Sequence, residues 1–294
     1  MAKRQAIGRR REPLTRRRFV TRLFSWHARA VRFLSVREAA TPWEVLVVEV
    51  MSHQTQIERV GLAWRRFVDT SPTPASLAGA STRDLLTAWA GLGYNRRALS
   101  LREAARRIVS DHAGAVPDNV ADLEALPGIG PYTARAIAAT AFGVPVAPLD
   151  VNVKRVMSRL TGIDPGSRDL QTTANTLVDR RDPRRWLNAV MDLASSVCTR
   201  TMPRCDACPV FGPCVSRGEV PADGARRPLL PFRQTTRWLR GRLVASLTDA
   251  PADAWVPLPD RLGTHDRAAI VAAAEGLERE GFLELRDGHA RVMP

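Results

Sequence analysis

Four cysteines lie within 17 residues of one another and constrain the fold more than any other feature of the sequence. They follow the pattern C-x6-C-x2-C-x5-C, at Cys198, Cys205, Cys208 and Cys214, and the 294-residue chain has no further cysteine. The disulfide framework of a secreted protein would spread its cysteines along the chain. A cluster this compact instead predicts one loop that wraps a metal centre, in a protein of the reducing bacterial cytoplasm.

The spacing of the cysteines also bears on which metal they hold. Thiolates are soft ligands that suit both iron–sulfur clusters and zinc. Four cysteines in one loop favour a single cuboidal cluster, whereas zinc more often takes two separated C-x2-C pairs. We therefore predict a [4Fe–4S] cluster, with zinc as the alternative. The arginines of this segment, Arg200, Arg204 and Arg217, would let the loop touch phosphates.

The net charge of +14, with a pI of about 11.2, favours a polyanionic partner. Lys and Arg side chains release counterions that are condensed on nucleic-acid phosphates, so a nucleic acid is the expected partner. A membrane surface, or a basic enzyme with no nucleic-acid role, would also fit the charge alone. No stretch reaches the ~20 apolar residues that span a bilayer, so no membrane partner is expected. Residues 1–18 have a basic run without an apolar core and predict a disordered tail rather than a signal peptide.

From Phe19 to about Val197 the pattern is helical, which predicts an all-α domain over 19–222. The segment from Thr41 to Glu44 has the sequence of a capping box with Pro at the first helical position, and it predicts a buried helix that begins the run TPWEVLVVEVMSHQTQ. Short Gly/Pro segments separate the later helices. These helices are predicted at Glu58–Val68, Thr82–Trp89, Arg96–Asp111, Val120–Leu126, Pro131–Phe142, Val151–Leu160, Leu170–Val178 and Arg184–Val197.

The last part of the chain, 223–294, changes character after a Pro/Arg/Gly-rich linker. Helices are predicted at Thr235–Leu247 and Arg267–Glu280, followed by a β-hairpin that turns at Asp287-Gly288. Two helices and a hairpin predict a small winged-helix-like module. A packing appendage without DNA contacts remains the alternative.

The string LPGIGPYTA joins two of the predicted helices. Gly128 and Gly130 permit a tight turn and leave backbone amides uncovered, and Pro131 stands where the next helix begins. Exposed amides at a helix N-terminus bind a phosphate oxygen without reading the base sequence. An ordinary turn between two helices would explain the glycines alone, but the whole string with Asp150 downstream is more specific.

LPGIGPYTA, then LDVNVKRV, then the four cysteines together resemble the helix-hairpin-helix–Gly/Pro–Asp superfamily of DNA glycosylases over about residues 20–215. The resemblance implies a helical barrel beside a cluster-bearing helical domain. The cysteine spacing is similar to that of endonuclease III and the MutY-type adenine glycosylases, which carry a [4Fe–4S] loop. The expected partner is double-stranded DNA that holds a mispaired or damaged base, bound by a monomer.

The resemblance implies catalytic roles for two acids. Asp150 matches the aspartate that faces the scissile sugar, where its charge would stabilise an oxocarbenium ion. Its position also fits the N-cap of the helix that follows. Glu49, in EVMSHQTQ, matches the general acid of the MutY type. Apolar neighbours in VLVVEVM would bury this carboxyl and raise its pKa, so that it could protonate a purine nitrogen. An exposed helix edge is the alternative for Glu49.

Further positions take their roles from the same resemblance. Gln54 matches a glutamine that wedges into the base stack during flipping, and Tyr94 matches a minor-groove residue or is simply a core residue. Asn152 and Tyr132 match active-site positions beside the aspartate and the base. Tyr132 stands where strand-cleaving members have a Schiff-base lysine, so a monofunctional enzyme that uses water is expected.

Three features depart from the MutY type. Leu34-Ser35-Val36-Arg37 replaces a Pro-Trp-Arg-like motif that lines the base pocket, and His53 stands where glutamine is usual. The C-terminal part is too short for the NUDIX-like domain that recognises 8-oxoguanine. Adenine removal opposite 8-oxoguanine or guanine is the leading hypothesis. Thymine or uracil removal opposite guanine, and DNA binding without catalysis, are the alternatives.

Overall fold

The computed structural model describes residues 11–30, 32–219 and 230–294, and most of them lie in α-helices. Residues 1–10 of the predicted tail and 220–229 of the predicted linker lie outside the described residues. The helices of the described part are α1 (Arg16–Ala30), α2 (Pro42–Ser52), α3 (Ile57–Thr70), α4 (Pro74–Ala78), α5 (Thr82–Ala88), α6 (Arg96–Asp111), α7 (Val120–Ala125), α8 (Pro131–Ala141), α9 (Val151–Thr161), α10 (Arg168–Leu177), α11 (Pro183–Ser196), α12 (Thr236–Asp249) and α13 (Arg267–Arg279).

The helices predicted between residues 58 and 197 are all present, and their ends agree with the prediction to within two residues. The capping box that begins α2 is confirmed as well. The Thr41 hydroxyl accepts from the Glu44 amide at 3.2 Å, and the Glu44 carboxylate accepts from the Thr41 amide at 3.0 Å. These bonds satisfy amides that the first turn of a helix leaves without partners. Each helix of the described residues is too short or too polar to span a bilayer.

Two helices differ from the sequence prediction. Helix α1 begins at Arg16, inside the segment 1–18 that was predicted to be a disordered tail. Its Phe19, Leu23 and His27 recur every four residues and are buried, so one face of α1 belongs to the core. The short helix α4 lies between α3 and α5, where no helix was predicted, and the Thr73 hydroxyl caps it by accepting from the Ser76 amide at 3.2 Å.

The described residues form two compact units. The first unit contains residues 11–33 (without 31), 118–121 and 130–219, and the second contains 34–117, 122–129 and 230–294. The sequence analysis placed a boundary at residue 222, between the helical domain and the C-terminal module. The structure instead groups the described part of that module with residues 34–117 and 122–129. Leu86 of α5 explains the difference, since it is buried in the same apolar cluster as residues of α12 and α13.

The core of the first unit is formed by α1, α8, α9, α10 and α11. Phe19 packs against Trp186 of α11 with ring centroids 6.5 Å apart. Val153 and Met157 of α9 are fully buried in the same apolar cluster. Within this core His27 lies 3.0 Å from the carboxylate of Asp192, so both buried polar side chains have a partner. The packing fixes α9, which carries Asp150 at its first turn.

The second unit contains the only strands of the described residues. Strands β1 (Val256–Pro257), β4 (Leu283–Arg286) and β5 (His289–Val292) form an antiparallel sheet in the order β1-β5-β4, and β2 (Arg261–Leu262) pairs with β3 (His265–Asp266). The predicted hairpin is confirmed: Asp287 and Gly288 have positive φ values of 46° and 74°, as a tight two-residue turn requires. Helices α12 and α13 pack on this sheet and complete the predicted helix, helix, hairpin order.

Candidate functional site

Glu49 lies in the most apolar stretch of α2. Val45 to Val48, Val50 and Met51 are buried, while Glu49 between them is half-buried. The exposure of the Glu49 side chain is therefore intermediate between the two expectations, which were full burial among its apolar neighbours and a position on the exposed edge of the helix. A carboxyl that is partly removed from water, on a rigid buried helix, is a suitable group for donating a proton to a bound ligand.

The segment after α2 holds Gln54 in an unusual conformation. Gln54 is exposed and has φ +56°, a left-handed backbone conformation that residues with a Cβ rarely adopt. Such strain persists only where the surrounding structure enforces it. The next residue, Thr55, donates its hydroxyl to the carbonyl oxygen of Leu92 at 3.2 Å. This bond connects the segment to the loop that carries Tyr94.

Arg97 of α6 holds both loops at once. Its guanidinium donates to the carbonyl oxygens of Met51 at 2.6 Å, His53 at 2.7 Å and Gly93 at 2.8 Å. The first two carbonyls belong to the end of α2, where helix geometry leaves them without partners and where the helix dipole favours a cation. Burial lowers the pKa of Arg97 to about 10. That value is far enough above neutrality to keep the guanidinium charged.

Tyr94, like Gln54, has a positive φ, in this case +48°. Its side chain is 36% exposed, so it is not a core residue. The phenol oxygen accepts a hydrogen bond from Arg237 of α12, and that guanidinium lies 4.8 Å from the ring centroid. The two exposed residues Gln54 and Tyr94 are thus held in strained conformations by a shared set of hydrogen bonds that the side chains of Arg97 and Thr55 donate to main-chain oxygens.

Both residues line one open cavity of about 950 Å³ in the second unit. His53 also lines it, and burial, with a smaller contribution from Arg97, lowers the pKa of His53 below its usual 6.5. A histidine that stays neutral at physiological pH can donate or accept a hydrogen bond. The cavity reaches from the end of α2 to α12, and its wall is rich in arginine.

The LPGIGP string is divided between the two units. In the second unit Gly128 has φ +79°, and a Cβ at this position would lie 2.7 Å from the Cβ of Ser100, so the turn needs glycine here. In the first unit Gly130 is extended, with φ −89° and ψ 178°, and precedes Pro131 at the start of α8. Any residue adopts that conformation, so the expectation that both glycines serve the turn is wrong for Gly130. With no Cβ, Gly130 still leaves the amides near the start of α8 less covered.

Asp150 caps α9 in the first unit. One carboxylate oxygen accepts from the amides of Asn152 at 2.9 Å and Val153 at 2.7 Å, and the other accepts from the Asn152 side-chain amide at 2.8 Å. The Asn152 side-chain oxygen in turn accepts from Arg155 at 3.0 Å. Asp150 is half-buried. The predicted N-cap is present, and the hydrogen bonds hold the carboxylate in one orientation.

Tyr132 is the second residue of α8, and its half-buried ring packs against the core of the first unit. The structure thus brings Tyr132, Asp150 and Asn152 into one unit, and Glu49, Gln54, Tyr94 and Gly128 into the other. Lys154 follows Asp150 by one turn of α9 and is half-buried.

The four cysteines follow α11 and line one cavity of the first unit. All four are free thiols rather than disulfides. Burial raises the pKa of the Cys208 thiol to about 12, so a metal would have to displace its proton on binding. No three His, Cys, Asp or Glu side chains of the described residues are grouped as ligands of a single ion. Four sulfurs around one cavity fit the larger [4Fe–4S] core, whose irons each take one thiolate.

Two arginines of α9, which the sequence analysis did not single out, fasten the cysteine loop. Arg155 donates to the carbonyl oxygen of Cys198 at 3.0 Å, and Arg159 donates to that of Thr199 at 2.7 Å. Their four-residue spacing puts both side chains on one face of the helix, and this spacing was the sequence signal from which their shared role could have been predicted. Helix α9 therefore orients Asp150 at one end and holds the cysteine loop from its following turns.

The chain was compared with protein families and with known proteins. Residues 47–179 match the model of the HhH-GPD superfamily of base excision DNA repair proteins. The adenine DNA glycosylase of Mycobacterium tuberculosis is 40% identical over 239 residues, which cover 78% of each chain. That of Mycolicibacterium smegmatis is 34% identical over 267 residues, which cover 89% of this chain and 91% of the relative.

Among solved structures, a thermostable thymine-DNA glycosylase superposes with a TM-score of 0.65 at 26% sequence identity. The superposition covers 69% of this chain and 96% of that one. The matched part of the fold is therefore nearly the whole of the smaller protein. These findings agree with the resemblance that the hairpin string, Asp150 and the cysteine spacing indicate.

Proposed function

Since the chain belongs to the HhH-GPD superfamily of base excision DNA repair proteins, we propose that it is a monofunctional DNA glycosylase that removes adenine mispaired with 8-oxoguanine or guanine. The observation that carries the proposal is the pair of differently held acids. Asp150 is fixed by three N–H donors at the start of α9, and Glu49 lies half-buried among apolar neighbours on α2. A protein that only binds DNA needs neither acid.

The reaction is the hydrolysis of the N-glycosidic bond. Glu49 donates a proton to a ring nitrogen of adenine, which lets the base leave as a neutral molecule when the bond to the sugar breaks. The negative charge of Asp150 stabilises the oxocarbenium ion that forms on the sugar. Water then adds to the sugar carbon and loses a proton, which returns Glu49 to its acid form, and the products are free adenine and an abasic site. Asn152 holds the Asp150 carboxylate, and Tyr132 is proposed to flank the base.

The bond is inaccessible inside a duplex, so the base must first leave the stack. Gln54 is proposed to wedge into the space that the base vacates, and Tyr94 to support it from the minor groove. Their exposure and their fixed, strained backbones suit this role, because a wedge must keep its shape against the stacking energy. The amides around Gly128 and Gly130 are proposed to bind a backbone phosphate, which fixes the position of the DNA without reading its sequence.

We propose that Cys198, Cys205, Cys208 and Cys214 hold a [4Fe–4S] cluster. The free thiols around one cavity support this, and Arg155 and Arg159 hold the segment that contains the first ligand. When bound, the cluster supplies four iron–thiolate bonds that cross-link the loop. Base excision itself uses only the side chains described above. We also propose that the enzyme acts as a monomer on the DNA of the bacterial cytoplasm.

A panel of substrates tests the adenine assignment. Purified protein is incubated with duplexes that hold A, T or U opposite G or 8-oxoguanine, and alkali then cleaves the abasic sites. Cleavage only at A supports the proposal. Cleavage at T or U opposite G would instead support the thymine or uracil activity, which the superposition with a thymine-DNA glycosylase makes the second candidate. Binding with no cleavage in any duplex would favour a non-catalytic DNA-binding protein.

A further inference from the structure

The open cavity of the second unit extends beyond Gln54 and Tyr94 onto α12 of the C-terminal module. We call it the arginine groove, because six arginines line it: Arg59, Arg96, Arg97, Arg237, Arg240 and Arg242. None of the described residues that line it is an aspartate or a glutamate. The reaction proposed above uses only one end of this groove, so the arginines of α12 have no role in it.

Three of these arginines have charges that no carboxylate of the described residues neutralises. Arg97 is occupied with main-chain carbonyls, and Arg96 and Arg240 lie 3.5 and 2.8 Å from the carboxylate of Glu280. Arg59, Arg237 and Arg242 are exposed, and the described part of the chain offers none of them a carboxylate partner. An anion in the groove would therefore meet unneutralised guanidinium groups.

Aromatic rings alternate with guanidinium groups at the mouth of the groove. The Arg237 guanidinium lies 4.8 Å from the ring centroids of both Tyr94 and Phe232. Phe232 is 53% exposed, which is unusual for a large apolar side chain in a folded module. Positive grooves with exposed rings bind nucleic acid, since the cations follow the phosphates and the rings contact sugars and bases.

We propose that the arginine groove binds the sugar–phosphate backbone of the DNA next to the position where Gln54 and Tyr94 contact the base stack. The C-terminal module is thereby a part of the DNA-binding surface rather than a packing appendage. Arg237 and Arg242 contact phosphates, and Phe232 packs on the adjoining sugar. The inference rests on the proposed function for the identity of the nucleic acid and for its placement beside Gln54.

This assignment differs from a winged helix that binds DNA through its second helix and its hairpin. Helix α13 and the β4–β5 hairpin mix both signs of charge, including Glu275, Glu278, Glu284 and Asp287. The first three turns of α12 have three arginines and no acid. Because phosphate binding requires net positive charge along the contact, α12 is the better-suited element.

Two pairs of substitutions with equal charge loss test the proposal. Arg237→Gln with Arg242→Gln removes two charges from the groove, and Arg261→Gln with Arg286→Gln removes two charges elsewhere in the same module. Binding is measured by anisotropy with two labelled duplexes, one undamaged and one with a tetrahydrofuran abasic-site analogue opposite guanine, across a salt series. Arg242→Gln alone serves as a second groove variant, since none of the described residues accepts a hydrogen bond from the Arg242 side chain.

The groove pair is expected to lower the slope of log affinity against log salt by about 2, and Arg242→Gln by about 1, because each lost phosphate contact removes ~0.9 from the slope. Affinity at ~0.1 M salt should fall about tenfold to a hundredfold, while the control pair keeps the wild-type slope. The proposal would be overturned if the groove pair and the control pair lowered the salt slope equally, or if the groove variants did not lower it at all. Adenine excision is scored separately in the wild type: its absence would refute the proposed function, whereas an unchanged salt slope would refute only the groove.

Discussion

The guanidinium of Arg97 and the main-chain oxygen of His53 lie 2.7 Å apart, just beyond the end of α2. The same guanidinium donates to Gly93 at 2.8 Å, immediately before Tyr94. One half-buried cation thus fixes the residue before each of the two strained positions, Gln54 and Tyr94. The strain of both segments is supported by charge-assisted hydrogen bonds, which are stronger than neutral ones.

Replacing Arg97 by Met is expected to lower the free energy of unfolding by about 3 kcal/mol. Several partly buried carbonyl oxygens would lose a charged donor, and each such bond contributes ~1.5–3 kcal/mol in a non-additive way. Urea unfolding measures the effect. The control is Arg107→Met, which removes an exposed pair with Asp111 at 3.2 Å and should cost far less, because water already screens both charges. Equal losses in the two variants would contradict the role of Arg97.

The lowered pKa of His53 makes stability depend on pH. The unfolded chain, in which the histidine titrates near 6.5, binds a proton more readily than the folded protein does. The contribution is therefore fully present above pH ~6.5 and is lost as the pH falls through this value towards the folded pKa. Wild type should lose stability relative to His53→Gln below pH ~6.5, with a constant difference above pH ~7.5. Urea midpoints between pH 5 and 8 measure this, and parallel curves would refute it.

Much of the fold could be predicted from sequence, because local signals and tertiary packing agree. The capping box at Thr41 begins α2, and the Asp287-Gly288 turn closes the hairpin, both through chemistry contained in a few adjacent residues. Helix α1 was cut short because its three leading arginines resemble a solvated tail. Phe19 and Leu23 belong to the same buried cluster as Trp186 of α11, and packing between residues more than 160 positions apart leaves no local sequence signal for where the helix begins.

In the candidate site, too, local features could be predicted from the sequence and long-range contacts could not. The sequence strings identified Asp150 as a helix cap and the cysteines as one cluster, and the structure agrees with both local features. Arg97 and Arg237 could not be singled out, because each depends on a partner 40 or more residues distant: the main-chain oxygen of His53 for Arg97, and the ring of Tyr94 for Arg237. In a chain with 44 Lys and Arg residues, no local pattern distinguishes an arginine that holds a loop from one that lies in solvent.

Strand cleavage is expected to be absent. A covalent Schiff base needs a lysine amine at the sugar, and we propose from the resemblance that Tyr132, in α8, stands where strand-cleaving members have that lysine. Borohydride should trap no enzyme–DNA adduct, although alkali reveals abasic sites in the same reaction. Lys154→Met is the control, since Lys154 follows Asp150 on α9. Efficient trapping that persists in this variant with residues 1–10 removed would contradict the monofunctional assignment.

The proposed [4Fe–4S] cluster predicts a spectroscopic result. Anaerobically purified protein should be brown, absorb broadly near ~400 nm and contain about four irons per chain. Cys208→Ser should lower the iron content and destabilise the loop, because a ligand is lost. Met202→Ala, which alters an 81% exposed side chain of the same loop, should change neither. A content of one zinc and no iron per chain would instead show that the four cysteines form a zinc site.

The two acids give the most direct test of the chemistry. Asp150→Asn keeps an oxygen that can accept from the Asn152 and Val153 amides, so the cap of α9 survives while the charge is lost. Loss of one electrostatic stabiliser should slow excision by ~10²–10³, and loss of the acid in Glu49→Gln by ~10²–10⁴. Single-turnover excision is measured beside a binding titration on the same duplex, with the exposed Glu124→Gln as the control acid.

The pair also separates the candidate bases. Adenine needs protonation to leave, so both variants should be nearly inactive on adenine. Thymine and uracil can leave as anions, so on these bases Asp150→Asn should be far more damaging than Glu49→Gln. Binding should be preserved in both variants, because the hairpin amides, the arginines and Gln54 are unchanged. Wild-type excision by Asp150→Asn would overturn the mechanism, and loss of binding would show that these acids support the structure rather than the reaction.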